Sequence, residues 1–381
     1  MSFGVYVHWP FCLSKCPYCD FNSHVHDKID HKQWAKSYLR EIEYIAEMTK
    51  GRKVETVFFG GGTPSLMEPE TVHEILSAIQ KHWDVLPNWE VTLEANPTSS
   101  EAEKFKAFKQ AGVNRLSLGI QSLREDDLKF LGRTHDISQA KGAIELAANT
   151  FDRFSFDLIY ARPQQTVEQW IAELKEALAM TVGHISLYQL TIEKNTPFFI
   201  RHARGEFKVP EEELGADFYD ATEEVMAQAG FESYEVSNYA KPGQQSRHNL
   251  IYWRYGDYAG AGPGAHGRLT LDEKKYATRT HRAPDIWLER TLNNGHAHHE
   301  FEFIDHLQRL QEAMMMGLRL TEGVPVARLE QEYKGDIFEV ISKEKISKLQ
   351  NEGLLIFDDG IIRATHTGRK CLNALLNYLL N

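Results

Sequence analysis

The chain has 381 residues, 42% hydrophobic and 25% charged, and a formal net charge of −11. Such a length buries enough apolar surface for one large domain and a smaller one, and the acidic balance disfavours a broad nucleic-acid footprint. No apolar run reaches the roughly 18–20 residues of a bilayer span, and MSFGVYVHWP lacks the basic and apolar regions of a signal peptide, so a cytoplasmic address is expected.

Taken in chain order, GVYVHW (4–9) predicts a first strand, and FCLSKCPYCDF (11–21) follows it with three of the four cysteines, Cys12, Cys16 and Cys19. Residues 31–48 then place Trp34, Tyr38, Ile42 and Ile45 at spacings of three and four, the period of an amphipathic helix. VETVFF (54–59) predicts a second strand that runs into GGGTPS (60–65), and Val72, Ile75, Leu76 and Ile79 mark the next helix. WEVTLEA (89–95), RLSLGI (115–120), FSFDLIY (154–160) and HISLYQL (184–190) complete six strand-like runs.

Strands alternating with helices imply parallel pairing, in a doubly wound sheet or a barrel-like β/α fold. Polar or glycine-rich residues follow the carboxyl end of nearly every run: the cysteines, GGGTPS, Glu94 and Gln121. That placement favours the barrel, whose active sites sit at the C-terminal ends of its strands. Beyond about residue 300 the texture changes to helices around LLIFDDGIIRAT, where Asp-Gly between apolar runs predicts a hairpin. We expect a partial (β/α)6 barrel over 1–300 and a small winged-helix-like α+β domain over 301–381.

The cysteines form C-x3-C-x2-C. A closed zinc site takes four ligands, whereas three thiolates on a [4Fe-4S] cluster leave one iron open to chemistry. Zinc completed by a distant histidine, or three buried thiols, are the alternatives. The cysteine spacing after a first strand resembles the radical SAM enzymes, and GGGTPS matches their glycine loop. YVHWPFC (6–12), TLEANP (92–97), RLSLGIQS (115–122), LGRTH (131–135) and FDLIYARPQQT (156–166) narrow the resemblance to the oxygen-independent coproporphyrinogen III oxidase (HemN) family, across essentially the full chain.

The resemblance implies that Cys12, Cys16 and Cys19 hold a [4Fe-4S] cluster whose open iron binds S-adenosylmethionine (SAM), reduced by a donor such as flavodoxin or ferredoxin. The reduced cluster would cleave SAM to a 5′-deoxyadenosyl radical. By motif, Tyr6, Gly61, Gly62, Thr63 and Glu94 would contact SAM, and Gln121, Arg133 and Asp157 would line the nucleoside site. Phe21, beside the cofactor, stands where the oxidases carry a further cysteine.

A second departure is HNLIYW (248–253), which is similar to the signature of the family's heme-chaperone branch. It implies heme as cargo, with His248 as axial ligand and Tyr252 and Trp253 packing the porphyrin, and heme-accepting proteins, respiratory ones among them, as partners. His266, in GAGPGAHG (260–267), is a second candidate ligand. The alternatives are a coproporphyrinogen III oxidase or another radical SAM enzyme acting on a tetrapyrrole. A homodimer and peripheral membrane contact are both compatible with this reading. GHAHHE (295–300) reads as a solvated loop, Met314 to Met316 as core filler, and Cys371 as a buried thiol.

Overall fold

The structure, a computed structural model, describes residues 2–26 and 28–380. The expected runs form strands β1 (Phe3–Trp9), β2 (Lys53–Gly61), β3 (Asp84–Ala95), β4 (Arg115–Gln121), β5 (Arg153–Tyr160) and β6 (His184–Gln189). They lie side by side in chain order and pair in parallel. The crossovers between them are helical, starting with α1 (His31–Met48) and α2 (Pro69–His82). In α1, Trp34, Tyr38, Ile42 and Ile45 are buried against the sheet, and α2 buries Val72, Ile75, Leu76 and Ile79. Fully burying each such aliphatic side chain is worth roughly 1.5–3 kcal/mol, which holds the helices to the sheet more firmly than propensity does.

The sheet extends beyond the six runs. On the far side of β6 lie β7 (Glu232–Glu235) and β8 (Asn238–Ala240), with β8 antiparallel to β6. On the other side β9 (Asp257–Ala261) adds to β1 in parallel, with Tyr6 opposite Gly260. The antiparallel β10 (His266–Leu271), β11 (Lys274–Arg279) and β12 (Glu302–Ile304) follow. The result is a single 12-stranded sheet with a parallel centre and antiparallel flanks.

Because Glu302–Ile304 still pairs with the sheet, the change of texture expected after residue 300 falls at Asp305, whose side chain caps the next helix, α3 (His306–Gly317). A second hydrophobic cluster begins there, with Leu310, Met314, Leu329, Ile346, Leu355, Ile362 and Leu375. Its hairpin, Leu355–Asp358 with Ile361–Ala364, turns at Asp359 (φ 49°) and Gly360 (φ 72°), the left-handed pair that a two-residue turn requires. Tyr255 from the sheet region belongs to this same cluster, so the two units share packing. Among the described residues no helix is long and apolar enough to cross a membrane.

Candidate functional site

The site is built at the carboxyl ends of the parallel strands. After β1, a two-residue parallel ladder of Phe11–Cys12 with His24–Val25 closes the cysteine loop. The glycine loop after β2 locks onto it: the Gly62 N–H donates to the Trp9 carbonyl at 2.6 Å and the Thr63 N–H to the Phe11 carbonyl at 2.8 Å. Gly62 is required by this approach, since a Cβ there would lie 2.6 Å from the Phe11 carbonyl oxygen. At Gly61 the backbone is left-handed (φ 108°) and a Cβ would run into the His8 ring.

The three thiols are free and half-buried. Thr63 Oγ1 donates to Cys12 Sγ at 3.3 Å, Arg133 Nη1 donates to Cys16 Sγ at 3.3 Å, and Cys19 Sγ lies 4.0 Å from Ser23 Oγ. Asn96 joins the first two, donating to Thr63 Oγ1 at 3.2 Å while accepting from Arg133. Burial pushes the Cys12 and Cys19 thiols up, so bare thiolates are disfavoured until a cation replaces the protons. No three His, Cys, Asp or Glu side chains among the described residues converge as a single metal ion would require. Three thiols ringing a cavity suit a polynuclear cluster better than mononuclear zinc, and the donors from Thr63 and Arg133 suit electron-rich sulfur.

That cavity, about 150 Å³, gathers Phe21, Gly61, Gly62, Thr63, Glu94, Gln121, Arg133 and Asp157 with the three cysteines. Two carboxyls, Glu94 and Asp157, line it. Burial, then the neighbouring Asp157, pushes Glu94 up to about 8, and burial pushes Asp157 up to about 6. Asp157 Oδ1 has no hydrogen-bond partner. A buried, unpaired carboxylate oxygen in a pocket is poised for hydroxyl or ammonium donors, and Gln121 turns into the same space from a left-handed backbone (φ 70°) at the end of β4.

Tyr6 stands apart from this group. It lines a larger neighbouring cavity of about 510 Å³, and its hydroxyl contacts His8 Nδ1 at 2.9 Å. Phe21, Gly61 and Glu94 wall both cavities, so the two are contiguous. Tyr252, Trp253, Tyr255, Tyr258 and His266 also line the larger one.

His248 does not. It is wholly buried at the start of α4 (Arg247–Trp253), with Nδ1 2.7 Å from Thr56 Oγ1, Nε2 2.6 Å from the Tyr252 hydroxyl, and its ring stacked on Phe58. Both ring nitrogens face protein groups, and the Nε2 contact joins the ring to Tyr252 on the cavity wall. Burial keeps His248 neutral, its pKa lowered to about 3. His266 is exposed to the larger cavity, and burial, then Arg268, lowers its pKa, so it too presents a neutral imidazole.

Other expectations also shift. His298 of GHAHHE is buried and His296 stacks on Tyr44 at 3.8 Å, so this is no solvated loop. Only Met314 of the three methionines is fully buried: Met315 is exposed and Met316 lines the larger cavity. Cys371 is half-buried, not fully. Residues not singled out from sequence include Asn96, inside the TLEANP stretch, and Asn22, which ties the cysteine loop to the Pro263 and Arg282 carbonyls at 3.0 and 2.9 Å. Arg268 and Glu312 pair across the larger cavity.

The Radical SAM superfamily model matches residues 6–177 and the HemN C-terminal domain model residues 304–370. Heme chaperone HemW of Haemophilus influenzae is 36% identical over 99% of this chain and 97% of its own. The chain belongs to the radical SAM superfamily, in the HemW branch of the HemN family. A mitochondrial relative, radical S-adenosyl methionine domain-containing protein 1 of Bos taurus, is 38% identical over 99% of this chain and 87% of its own. The fold of Escherichia coli HemN, a coproporphyrinogen III oxidase described as a radical SAM enzyme, superposes with a TM-score of 0.82 over 100% of this chain and 90% of that one, at 19% identity. Membership of the radical SAM superfamily implies a [4Fe-4S] cluster and SAM, and Cys12, Cys16 and Cys19 are the residues present that would hold the cluster.

Proposed function

We propose that the protein is a heme chaperone: it holds heme in the 510 Å³ cavity, beside a [4Fe-4S] cluster liganded by Cys12, Cys16 and Cys19, and passes the heme to acceptor proteins. The observation that carries this reading is the contiguity of the two cavities, one ringed by thiols and the other walled by aromatic rings, in a chain whose relatives include proteins named heme chaperone. A volume of 510 Å³ lies within the roughly 300–1,000 Å³ usual for cofactor-sized ligands. Tyr252, Tyr255 and Tyr258 offer flat faces to a porphyrin, and His266 offers the imidazole for its iron.

The cluster, when bound, supplies a single electron to SAM. The protein's own part is to fix the sulfurs through Thr63 and Arg133, present the Glu94 and Asp157 carboxyls, and keep the loop anchored through Asn22. Phe21 is 59% exposed at the junction of the two cavities, an inert ring where the oxidases of the family carry a thiol, which favours carriage over porphyrin decarboxylation.

The test is anaerobic reconstitution followed by parallel heme titration and coproporphyrinogen assays. We expect a saturable Soret shift and no protoporphyrinogen. His266→Ala should change the ligand-field signature of bound heme, while His248→Ala should lower stability by about 2–4 kcal/mol yet leave that signature in place. Conversion of coproporphyrinogen would overturn the chaperone reading, and a signature lost with His248 alone would overturn the choice of His266.

A further inference from the structure

Arg268 is the single Arg or Lys side chain on the wall of the 510 Å³ cavity, among the described residues. Its Nε and Nη2 grip Glu312 of α3 at 2.9 and 3.1 Å, and Nη1 donates to the Gly267 carbonyl at 3.1 Å. Of the five N–H groups of a guanidinium, these contacts leave two without a protein partner among the described residues. Glu312 is itself steadied by the Tyr255 hydroxyl at 2.8 Å. Arg268 and His266 are two residues apart on β10, so both side chains leave the same face of the strand.

Heme brings two propionate carboxylates with its iron. The acid side chains on this cavity wall, Glu94 and Glu312, offer a propionate no positive charge, and the Glu312 carboxylate would repel it. A carboxylate entering a partly closed cavity needs a cation and directed N–H donors to offset its desolvation. Resting on the heme-chaperone reading above, we propose that Arg268 is the carboxylate-recognition group of the cavity, taking a porphyrin propionate on the two N–H groups it does not commit to the protein. Glu312, a positioning residue, holds the guanidinium in place and at the same time tempers its charge, so the C-terminal domain sets the strength of the grip. Strand β10 then offers both determinants of the cargo, an imidazole for the metal and a guanidinium for the acid.

The experiment compares heme with heme dimethyl ester, in which both propionates are masked, by Soret titration of the full chain. Wild type should bind heme about tenfold to a hundredfold more tightly than the ester, the factor a charge-assisted bidentate contact supplies. Arg268→Gln should lose that preference while keeping its affinity for the ester, and Arg268→Lys should keep part of it. Glu312→Gln breaks the same ion pair but removes the repelling charge, so it should bind heme more tightly than wild type. Equal weakening by Arg268→Gln and Glu312→Gln would mean that the pair is only structural and would overturn the proposal, as would equal binding of heme and ester by wild type. Absence of any heme binding by wild type would instead remove the chaperone reading, and this proposal with it.

Discussion

Glu94 and Asp157 share a small cavity, and their titration makes a prediction specific to this site. Both carboxyls bind protons more tightly folded than unfolded, Glu94 rising from 4.5 to about 8 and Asp157 from 3.8 to about 6. A raised folded pKa contributes stability that is complete below the ordinary value and is lost as pH rises through the folded one. His8 and His248 act in the opposite sense, with pKa values lowered from 6.5 to about 4 and about 3, and their contribution is complete above pH 6.5. Between pH 7 and 8 Glu94 is therefore the main member of this group still titrating, and its deprotonation should take about 1 kcal/mol per pH unit from the stability of the unliganded protein. Urea melts of wild type and Glu94→Gln at pH 7 and pH 8 measure it: the wild-type midpoint should fall and the variant's should fall less. Parallel slopes would show that Glu94 is already ionised at pH 7.

At the scale of elements, the tightest demand falls where the loop after β2 meets the loop after β1. A methyl group at Gly62 would contact three backbone atoms at once, at 2.6 Å from the Phe11 oxygen and 2.9 Å from the Trp9 oxygen and Pro10 carbon. Gly62→Ala should therefore part the two loops while leaving the sheet intact. We expect iron and sulfide content after reconstitution to fall severalfold with an unchanged far-UV dichroism spectrum, whereas normal loading would show that the loops can separate without moving the thiols. The same close approaches explain what the sequence made legible. Six parallel strands are readable because each is a short run of apolar residues, rich in β-branched and aromatic side chains in most and alternating Leu116, Leu118 and Ile120 in β4. The seventh, β9, reads DYAGA, small residues without a strand signature, because a Cβ at Gly260 would strike the His266 carbonyl at 2.2 Å. The cysteines, the glycine loop, Glu94 and Gln121 stand out in the sequence because each lies at or just beyond the end of a strand, whereas Asp157, in the middle of β5, stands out only through the FDLIYARPQQT motif. The burial of His248 was not, since its partner Thr56 lies 192 positions away and nothing local announces it. Arg268 and Glu312, 44 positions apart, were missed for the same reason.

Over the whole molecule, three residues stand between two cavities. Phe21, Gly61 and Glu94 wall both the thiol-lined cavity and the larger one, while Glu312 and Met316 bring the C-terminal domain to the far side of the latter. With SAM in one cavity and heme in the other, as proposed, both would meet the Phe21 ring and the Glu94 carboxyl, and we expect the two binding events to be coupled. Linkage requires that coupling to be reciprocal: the factor by which SAM changes heme affinity equals the factor by which heme changes SAM affinity. A cationic ligand beside Glu94 draws its carboxyl toward ionisation, so SAM binding near pH 7 should also release protons, a quantity readable in buffers of different ionisation enthalpy. We expect heme affinity on the reconstituted protein to shift about fivefold or more with saturating SAM, within the usual range for coupled sites. Phe21→Ala should reduce that factor without abolishing either binding event, because it removes a shared wall but no ligand. Heme affinity indifferent to SAM would show that the Phe21 and Glu94 wall transmits no coupling between the two cavities.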